Sequence, residues 1–358
     1  MTKLSLRLLG MLLSAAVVIS ADAQDYGPPP ADECDVCDLG CPVYTPRFEA
    51  SAALVFLQPG SGNLEYGTLV SPLPPLTPHW VNQSVEPGLS PAFNLGLRYS
   101  VPECGNDIQM TWTHLETDDS ASFVGGPEQF AGSPYEIGPD ANLYNIGHGD
   151  VRFEYDSINL DAGHHLSGGG LNQVRIFAGV QVARLGQNLS GFFESYDGLT
   201  SNGYATDSLF TGVGPRVGMK AHCLRGSFDF LGEFAGALLI GRMESRMDFN
   251  ATTPSMPGLG ITPPNLQSLT SPDATQVIPG IDTKLGAGYT FPTSCRGRLR
   301  IEGGYQAAVY IDAVNSYSIN EVTTPSNTQS LAVFLRTQQH IQSNFTVHGP
   351  YMSASWEF

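Results

Sequence analysis

Gly297-Arg298-Leu299-Arg300-Ile301-Glu302-Gly303-Gly304-Tyr305-Gln306-Ala307-Ala308-Val309-Tyr310-Ile311-Asp312 alternates between apolar and polar along most of its length. Leu299, Ile301, Tyr305, Ala307, Val309 and Ile311 fall on one side of an extended chain; Arg298, Arg300, Glu302, Gln306, Tyr310 and Asp312 fall on the other. Side chains of a strand point alternately to its two faces, so this period of two predicts a strand with one greasy and one wet surface. Upstream, Phe93, Leu95, Leu97, Tyr99 and Val101 alternate with Asn94, Gly96, Arg98 and Ser100, and Ile108, Met110 and Trp112 alternate with Gln109, Thr111 and Thr113. Similar runs near 46–58, 149–162, 171–186, 207–222, 226–243, 276–291 and 343–358 bring the total to ten.

Composition agrees. The chain has 358 residues with 40 Gly, 26 Pro and only 14% charged residues, which argues against a helical bundle and for strands joined by turns. Lys plus Arg number 17 against 34 Asp plus Glu, a net charge of −17 that excludes a nucleic-acid binder working by phosphate neutralisation. Lys3 and Arg7, the apolar run Leu8 to Ile19 and Ala21-Asp22-Ala23 have the three parts of an export signal, so residues 1–23 are expected to be removed. Residues 24–45 then form a Cys- and Pro-rich periplasmic segment, and 46–358 the folded domain. No later stretch is apolar for the 18 or so residues that a membrane helix needs.

The connections alternate in length. Short turns fall near 102–107, 163–170, 223–226 and 292–297; long Pro-, Gly-, Asn- and Ser-rich loops fall near 59–91, 116–148, 187–206, 244–275 and 313–342. Long loops outside and short turns in the periplasm are the habit of outer-membrane barrels, with about 9–11 residues per spanning strand. The expectation is an all-β, closed antiparallel transmembrane barrel of ten strands, or twelve if two loops add strands, for instance at Ser330 to Arg336. The competing reading is a secreted β-sandwich with one face on a core and the other in water. Met352, Ala354, Trp356 and Phe358 share one face of the last run, which ends on an aromatic. That strand resembles those read by the barrel-assembly machinery, which implies insertion into a bacterial outer membrane, among its lipid and lipopolysaccharide.

Four segments carry a resemblance to one family. They are Tyr155-Asp156-Ser157-Ile158-Asn159-Leu160-Asp161-Ala162-Gly163, then Arg175-Ile176-Phe177-Ala178-Gly179-Val180 with Ala183-Arg184, then Phe210-Thr211-Gly212-Val213-Gly214-Pro215-Arg216-Val217-Gly218, and Gly349-Pro350-Tyr351 to Phe358. In order and spacing they resemble the Legionella major outer membrane protein-like, pore-forming family. The resemblance implies an outer-membrane barrel and a pore, and supplies no catalytic residue and no cofactor.

Turning the polar face inward places Arg98, Arg175, Arg216, Lys220, Lys284, Arg298 and Arg300 in a lumen, with Asp229, Glu233, Asp282 and Glu302. A symmetric turn after Cys223 would set Lys220 opposite Asp229 and Arg216 opposite Glu233, each pair contributing about 0.2–1 kcal/mol. Such a ladder reads either as a charged constriction sorting small solutes or as a salt-bridged plug. Ten strands lie near the size that side chains can fill, about eight; Gly212, Gly214 and Gly218 on the inner face of the sixth run would leave room for a narrow passage.

Six cysteines, Cys34, Cys37, Cys41, Cys104, Cys223 and Cys295, all fall on the periplasmic side of this topology, where disulfides form. One reading staples the N-terminal segment across the mouth to the three short turns; the other has one local bridge and free thiols. No Cys or His spacing predicts a metal site, with His164-His165 read as a solvated pair. An enzyme would need a constellation such as His114 with Asp118-Asp119, and the chain is read as non-enzymatic. The expected activity is passive diffusion of small hydrophilic solutes or ions; a non-conducting structural or adhesive barrel is the alternative, and homo-oligomerisation stays open.

Overall fold

The computed structural model describes residues 48–71, 79–101, 105–126, 129–133, 144–167, 172–252, 265–294, 297–324 and 333–358. The segments expected as a leader and a periplasmic N-terminal stretch, with Cys34, Cys37, Cys41, Cys104 and Cys295, lie outside the described residues. Fourteen strands follow in order: β1 (Phe48–Ser61), β2 (Glu65–Ser71), β3 (His79–Ser84), β4 (Ser90–Val101), β5 (Asn106–Val124), β6 (Phe130–Gly132), β7 (Ile146–Ser167), β8 (Asn172–Glu194), β9 (Ser201–Arg225), β10 (Phe228–Thr252), β11 (Asn265–Thr270), β12 (Ala274–Ser294), β13 (Gly297–Thr324) and β14 (Val333–Glu357).

Ten of them close a ring, β9-β10-β12-β13-β14-β1-β4-β5-β7-β8 and back to β9, with every neighbouring pair antiparallel. The seam joins first strand to last: Phe48 and Phe358 exchange backbone hydrogen bonds at 3.1 and 2.9 Å, and their rings stack with centroids 5.9 Å apart. Closure leaves the ten-strand ring without an open edge. The ring has ten strands rather than twelve. The segment expected to add one is, from Val333, the start of β14, and β11 lies beside β10 as a prolongation of β12.

The outward face of the wall is apolar. Leu97, Met110, Leu160, Val217, Phe230 and Met352 are 48–63% exposed, on positions that alternate with more buried ones. Apolar surface left in water costs about 25 cal/mol per Å², so a continuous oily belt around a closed sheet is stable only against hydrocarbon. A sandwich, with two open layers and a shared core, is excluded.

The strands run well past this belt. β9 and β10 have 25 residues each, which at about 3.3 Å per residue and a tilt of about 40° rise roughly 60 Å, against an apolar band of about 25 Å. Much of the sequence read as long loops is therefore wall. Between β8 and β9 only 195–200 remain as a connection, where the Ser195 hydroxyl and the Leu199 N–H both donate to Asp197 Oδ1, at 2.5 and 3.0 Å. These donors, Ser195 first, hold the Asp197 carboxyl below its usual range. Composition hid these strand extensions because their outward residues are polar too. Two of the expected loops instead fold into a small sheet, β3-β2-β6.

At the opposite end the hairpins are short. Arg225 pairs with Phe228 across Gly226-Ser227, and Gly226 has φ +65°, the left-handed conformation that a two-residue hairpin needs and glycine tolerates. This turn lies later than a symmetric turn after Cys223 and so moves the register by two residues on each strand. Asp229 sits opposite Leu224, Glu233 opposite Lys220, and Arg216 opposite Ala237. The expected pairings Lys220–Asp229 and Arg216–Glu233 are corrected accordingly.

Candidate functional site

The inward faces divide the lumen into two regions of different chemistry. Toward the short-turn end the lumen is charged. Arg98, Arg216, Lys220, Glu233, Asp282, Lys284, Arg300 and Glu302 line one cavity of about 150 Å³, together with Glu49 and Asp161. Alternation along each strand brings them inward, and ring closure sets strands distant in sequence face to face.

Arg216 is the hub. Its side chain is 4% exposed; Nη1 donates to Asp161 Oδ2 at 2.5 Å, Nη2 lies 3.6 Å from Glu233 and Nε 3.5 Å from Asp282. Lys220 Nζ, less buried, approaches Glu233 at 3.9 Å. A second knot forms around Glu302, which receives Lys284 at 3.2 Å, Arg300 at 2.7 Å and the Tyr351 hydroxyl at 2.6 Å. Arg300 also reaches Asp229 at 2.5 Å, and His222 Nδ1 lies 2.8 Å from the same carboxylate. Charges buried in this way are tolerable only when paired. Asp161 Oδ1 lines the cavity with no protein hydrogen bond, a place for water in a polar space this size.

Three expected lumen residues stand apart from the cavity. Arg175, 3% exposed, is locked to Asp107 through Nε at 2.8 and 2.9 Å and Nη2 at 2.5 Å, with His165 Nε2 on the same carboxylate at 2.8 Å. Asp229 is held by Arg300 and His222 as described. Arg298 is exposed at the start of β13, in register with Glu357 at the seam. His164 and His165 point to opposite faces, the former bonded to Asn106 at 2.7 Å. His114 pairs with Asp156 at 2.8 Å, not with Asp118 or Asp119. Cys223 is half-buried near the end of β9 and forms no disulfide among the described residues.

Above the charged chamber the lumen is filled. Tyr155 on β7 and Tyr310 on β13 stand five strands apart on a ten-strand ring, at opposite ends of a diameter, yet their hydroxyls are 3.2 Å from each other. Gln181 on β8 donates to the Tyr310 hydroxyl at 3.0 Å, and Phe345 packs against both tyrosines at centroid distances of 6.1 and 6.5 Å. A bulge at Ile311–Ala313, with Asp312 at φ +57°, accompanies an inward step of β13, so that the Asn315 N–H reaches Ser208 Oγ at 2.9 Å. Asp312, expected on the inner face, is exposed. Phe153, Phe193, Phe210, Leu239 and Met243 continue the packing, and Tyr66 of β2 folds in from above, its carbonyl accepting the Tyr204 hydroxyl at 2.8 Å.

The inner-face glycines do not leave a passage. The space beside Gly218 holds the Phe177 ring and that beside Gly212 the Phe210 ring. Phe177 is itself clamped between two guanidiniums, with Arg175 and Arg216 each 4.9 Å from its centroid. The sequence reading missed Asp161, Glu49 and Asp107, which obey the same alternation, and missed Tyr155–Tyr310, which depends on ring order.

The profile of a family described as Legionella pneumophila major outer membrane protein precursor matches residues 41–358. No curated protein matches the chain. Among solved structures, the outer membrane protease OmpT from Escherichia coli is similar at 8% identity and a TM-score of 0.41, over 87% of this chain and 96% of that one. The translocator domain of the autotransporter NalP from Neisseria meningitidis gives 10% and 0.30 over 90% and 93%. The P. putida toluene transporter TodX gives 10% and 0.22 over 88% and 91%. These identities are too low to carry over an activity or a substrate.

Proposed function

Because the chain belongs to the Legionella pneumophila major outer membrane protein family, we propose that this outer-membrane barrel is a narrow pore for small hydrophilic solutes or ions, shut at mid-lumen in the conformation described. The observation that carries this reading is the cavity of about 150 Å³ lined by charges of both signs, beneath the hydrogen-bonded Tyr155–Tyr310 pair. A lumen evolved only for rigidity has no need of a wet chamber, since apolar packing fills a small barrel at lower electrostatic cost. Lys220 and Lys284 are the cations in it with the longest single ion pairs, at 3.9 and 3.2 Å, Lys284 also lying 4.1 Å from the Tyr351 ring centroid. They are the side chains through which a passing ion would be sorted. The Tyr155–Tyr310 contact and the apolar packing above it must part.

One observation favours the alternative of a non-conducting structural barrel: the apolar packing above the tyrosines is several side chains deep. Planar-bilayer recording separates the two. The wild-type protein is expected to give rare, small current steps, and Tyr155→Ala/Tyr310→Ala frequent, larger ones. If neither conducts while both fold, as judged by heat-modifiable gel mobility, the pore reading is wrong and the structural barrel stands.

A further inference from the structure

We propose that one side of the outer wall, formed by β5, β7, β8, β9, β10 and β12, binds the phosphorylated sugar headgroup of an outer-leaflet glycolipid. On each of these strands the outward face turns from apolar to charged within a few residues. Beyond Trp112 on β5 come Glu116 and Asp118; beyond Ile158 on β7, Asp156, Glu154 and Arg152; beyond Val182 on β8, Arg184. Asp207 follows Val213 on β9, Arg242, Glu244 and Arg246 follow Ile240 on β10, and Asp273, just before β12, follows Val277. On the other side, among the residues whose side chains are described, charge is sparse: past the apolar run the outward residues are Asp312 on β13, His348 on β14, Gln58 on β1 and Pro91 on β4.

Four arginines are set among the seven carboxylates of the band. Arg152, Arg184, Arg242 and Arg246 have side chains 48, 51, 61 and 57% exposed, and each leans on a carboxylate: Arg152 on Glu116, Arg184 on Glu154 at 3.0 Å, Arg242 on Glu244 at 3.2 Å, and Arg246 on Asp248 at 2.8 Å. Exposed pairs of this kind contribute little to stability, so a ligand displaces them at small cost. Between them runs a shallow groove lined by Arg152, Arg184, Asn188, Asp207 and Arg246.

The chemistry on offer is a lattice of guanidiniums, which grip phosphate in a bidentate fork, interleaved with carboxylates and an amide, which accept sugar hydroxyls. A plain anionic lipid would be repelled by the carboxylates; a phosphorylated sugar satisfies both partners. Height points the same way. The polar layer of a phospholipid leaflet is about 5–8 Å thick, whereas Arg242 to Asp248 covers about 20 Å of strand, or roughly 15 Å of height after tilt. Only a headgroup with stacked sugars fills that depth. This assignment is independent of whether the lumen conducts.

Native mass spectrometry of the detergent-purified mature protein tests it, using diphosphorylated lipid A, its dephosphorylated form and phosphatidylethanolamine as probes. Wild type is expected to retain the diphosphorylated form about tenfold over the other two, and Arg152→Gln/Arg184→Gln/Arg242→Gln/Arg246→Gln to lose the preference while still folding, each tenfold being about 1.4 kcal/mol. Equal retention by wild type and variant, or of phosphatidylethanolamine and lipid A, overturns the proposal. So does a dimer abolished by the four substitutions, which would give the surface to a second copy. If the fourfold variant fails to fold, Arg246→Gln alone carries the same readout on a smaller scale.

Discussion

Replacing Arg216 with methionine removes the hub of the charged chamber without opening much space. Three carboxylates then lose a cationic partner: Asp161 at 2.5 Å and Asp282 at 3.5 Å are left with no other ion pair among the described residues, and Glu233, at 3.6 Å, keeps only Lys220. At an effective dielectric of about 20, a pair of unit charges about 4 Å apart attracts by about 4 kcal/mol, so the gross loss is on the order of 10 kcal/mol. Proton uptake and water entry relieve most of it, and breaking a buried pair by removing one partner costs about 3–5 kcal/mol net. The lighter comparison is Lys220→Met, which abandons one carboxylate at 3.9 Å in a wetter setting and is expected to cost about 1 kcal/mol. The assay is equilibrium urea unfolding of the refolded barrel, followed by tryptophan fluorescence. Adding Asp282→Asn to Arg216→Met should return about 1–3 kcal/mol, because the two sites are coupled. An Arg216→Met barrel within about 1 kcal/mol of wild type, with no coupling to Asp282, would refute the reasoning.

Leu285, 54% exposed at mid-strand on β12, should cost about 2–4 kcal/mol when changed to lysine, and Thr275→Lys, beyond the belt on the same face, about 0–1 kcal/mol, both read by the same unfolding curves. If the barrel conducts, Lys220→Gln/Lys284→Gln should shift the reversal potential in a salt gradient toward cation preference; an unchanged potential would remove these lysines from the path. A non-reducing peptide map should link Cys34, Cys37 or Cys41 to Cys104, Cys223 or Cys295, and a map with no such link ends the idea of a strap across the periplasmic mouth. Deleting Phe358 removes two backbone hydrogen bonds and the stacking on Phe48 at the seam, and should lower the yield of heat-modifiable protein in the outer membrane.

The wall of the barrel is legible in the sequence because one physical fact, lipid outside and side chains inside, acts on every second residue. Leu299, Ile301 and Tyr305 declare β13 by their spacing alone. Legibility fails where that contrast fades. The upper halves of β8, β9 and β10 face water or headgroups outside, so Asn188 or Glu244 reads as loop although the strand continues. Register depends on which two residues make the turn, and Gly226-Ser227 rather than a centre at Cys223 decided it. Inward position alone does not reveal what fills a lumen: Gly212 and Gly218 look like open space until Phe210 and Phe177 occupy it. The contact across the full diameter, Tyr155 with Tyr310, joins residues 155 positions apart in the chain. No local pattern encodes it.

Carbene labelling from a photoactivatable fatty-acid chain in liposomes, read residue by residue by mass spectrometry on the unmodified protein, asks directly what surrounds each face of the wall. Leu238, Ile240, Leu285 and Met352, 46–63% exposed, should take the label, while Leu239, Met243 and Phe345, at most 2% exposed, should not. Label spread equally over Leu238 and Leu239, or absent from both while the protein stays folded, would contradict a closed barrel whose outer face is solvated by lipid and whose lumen is packed with its own side chains.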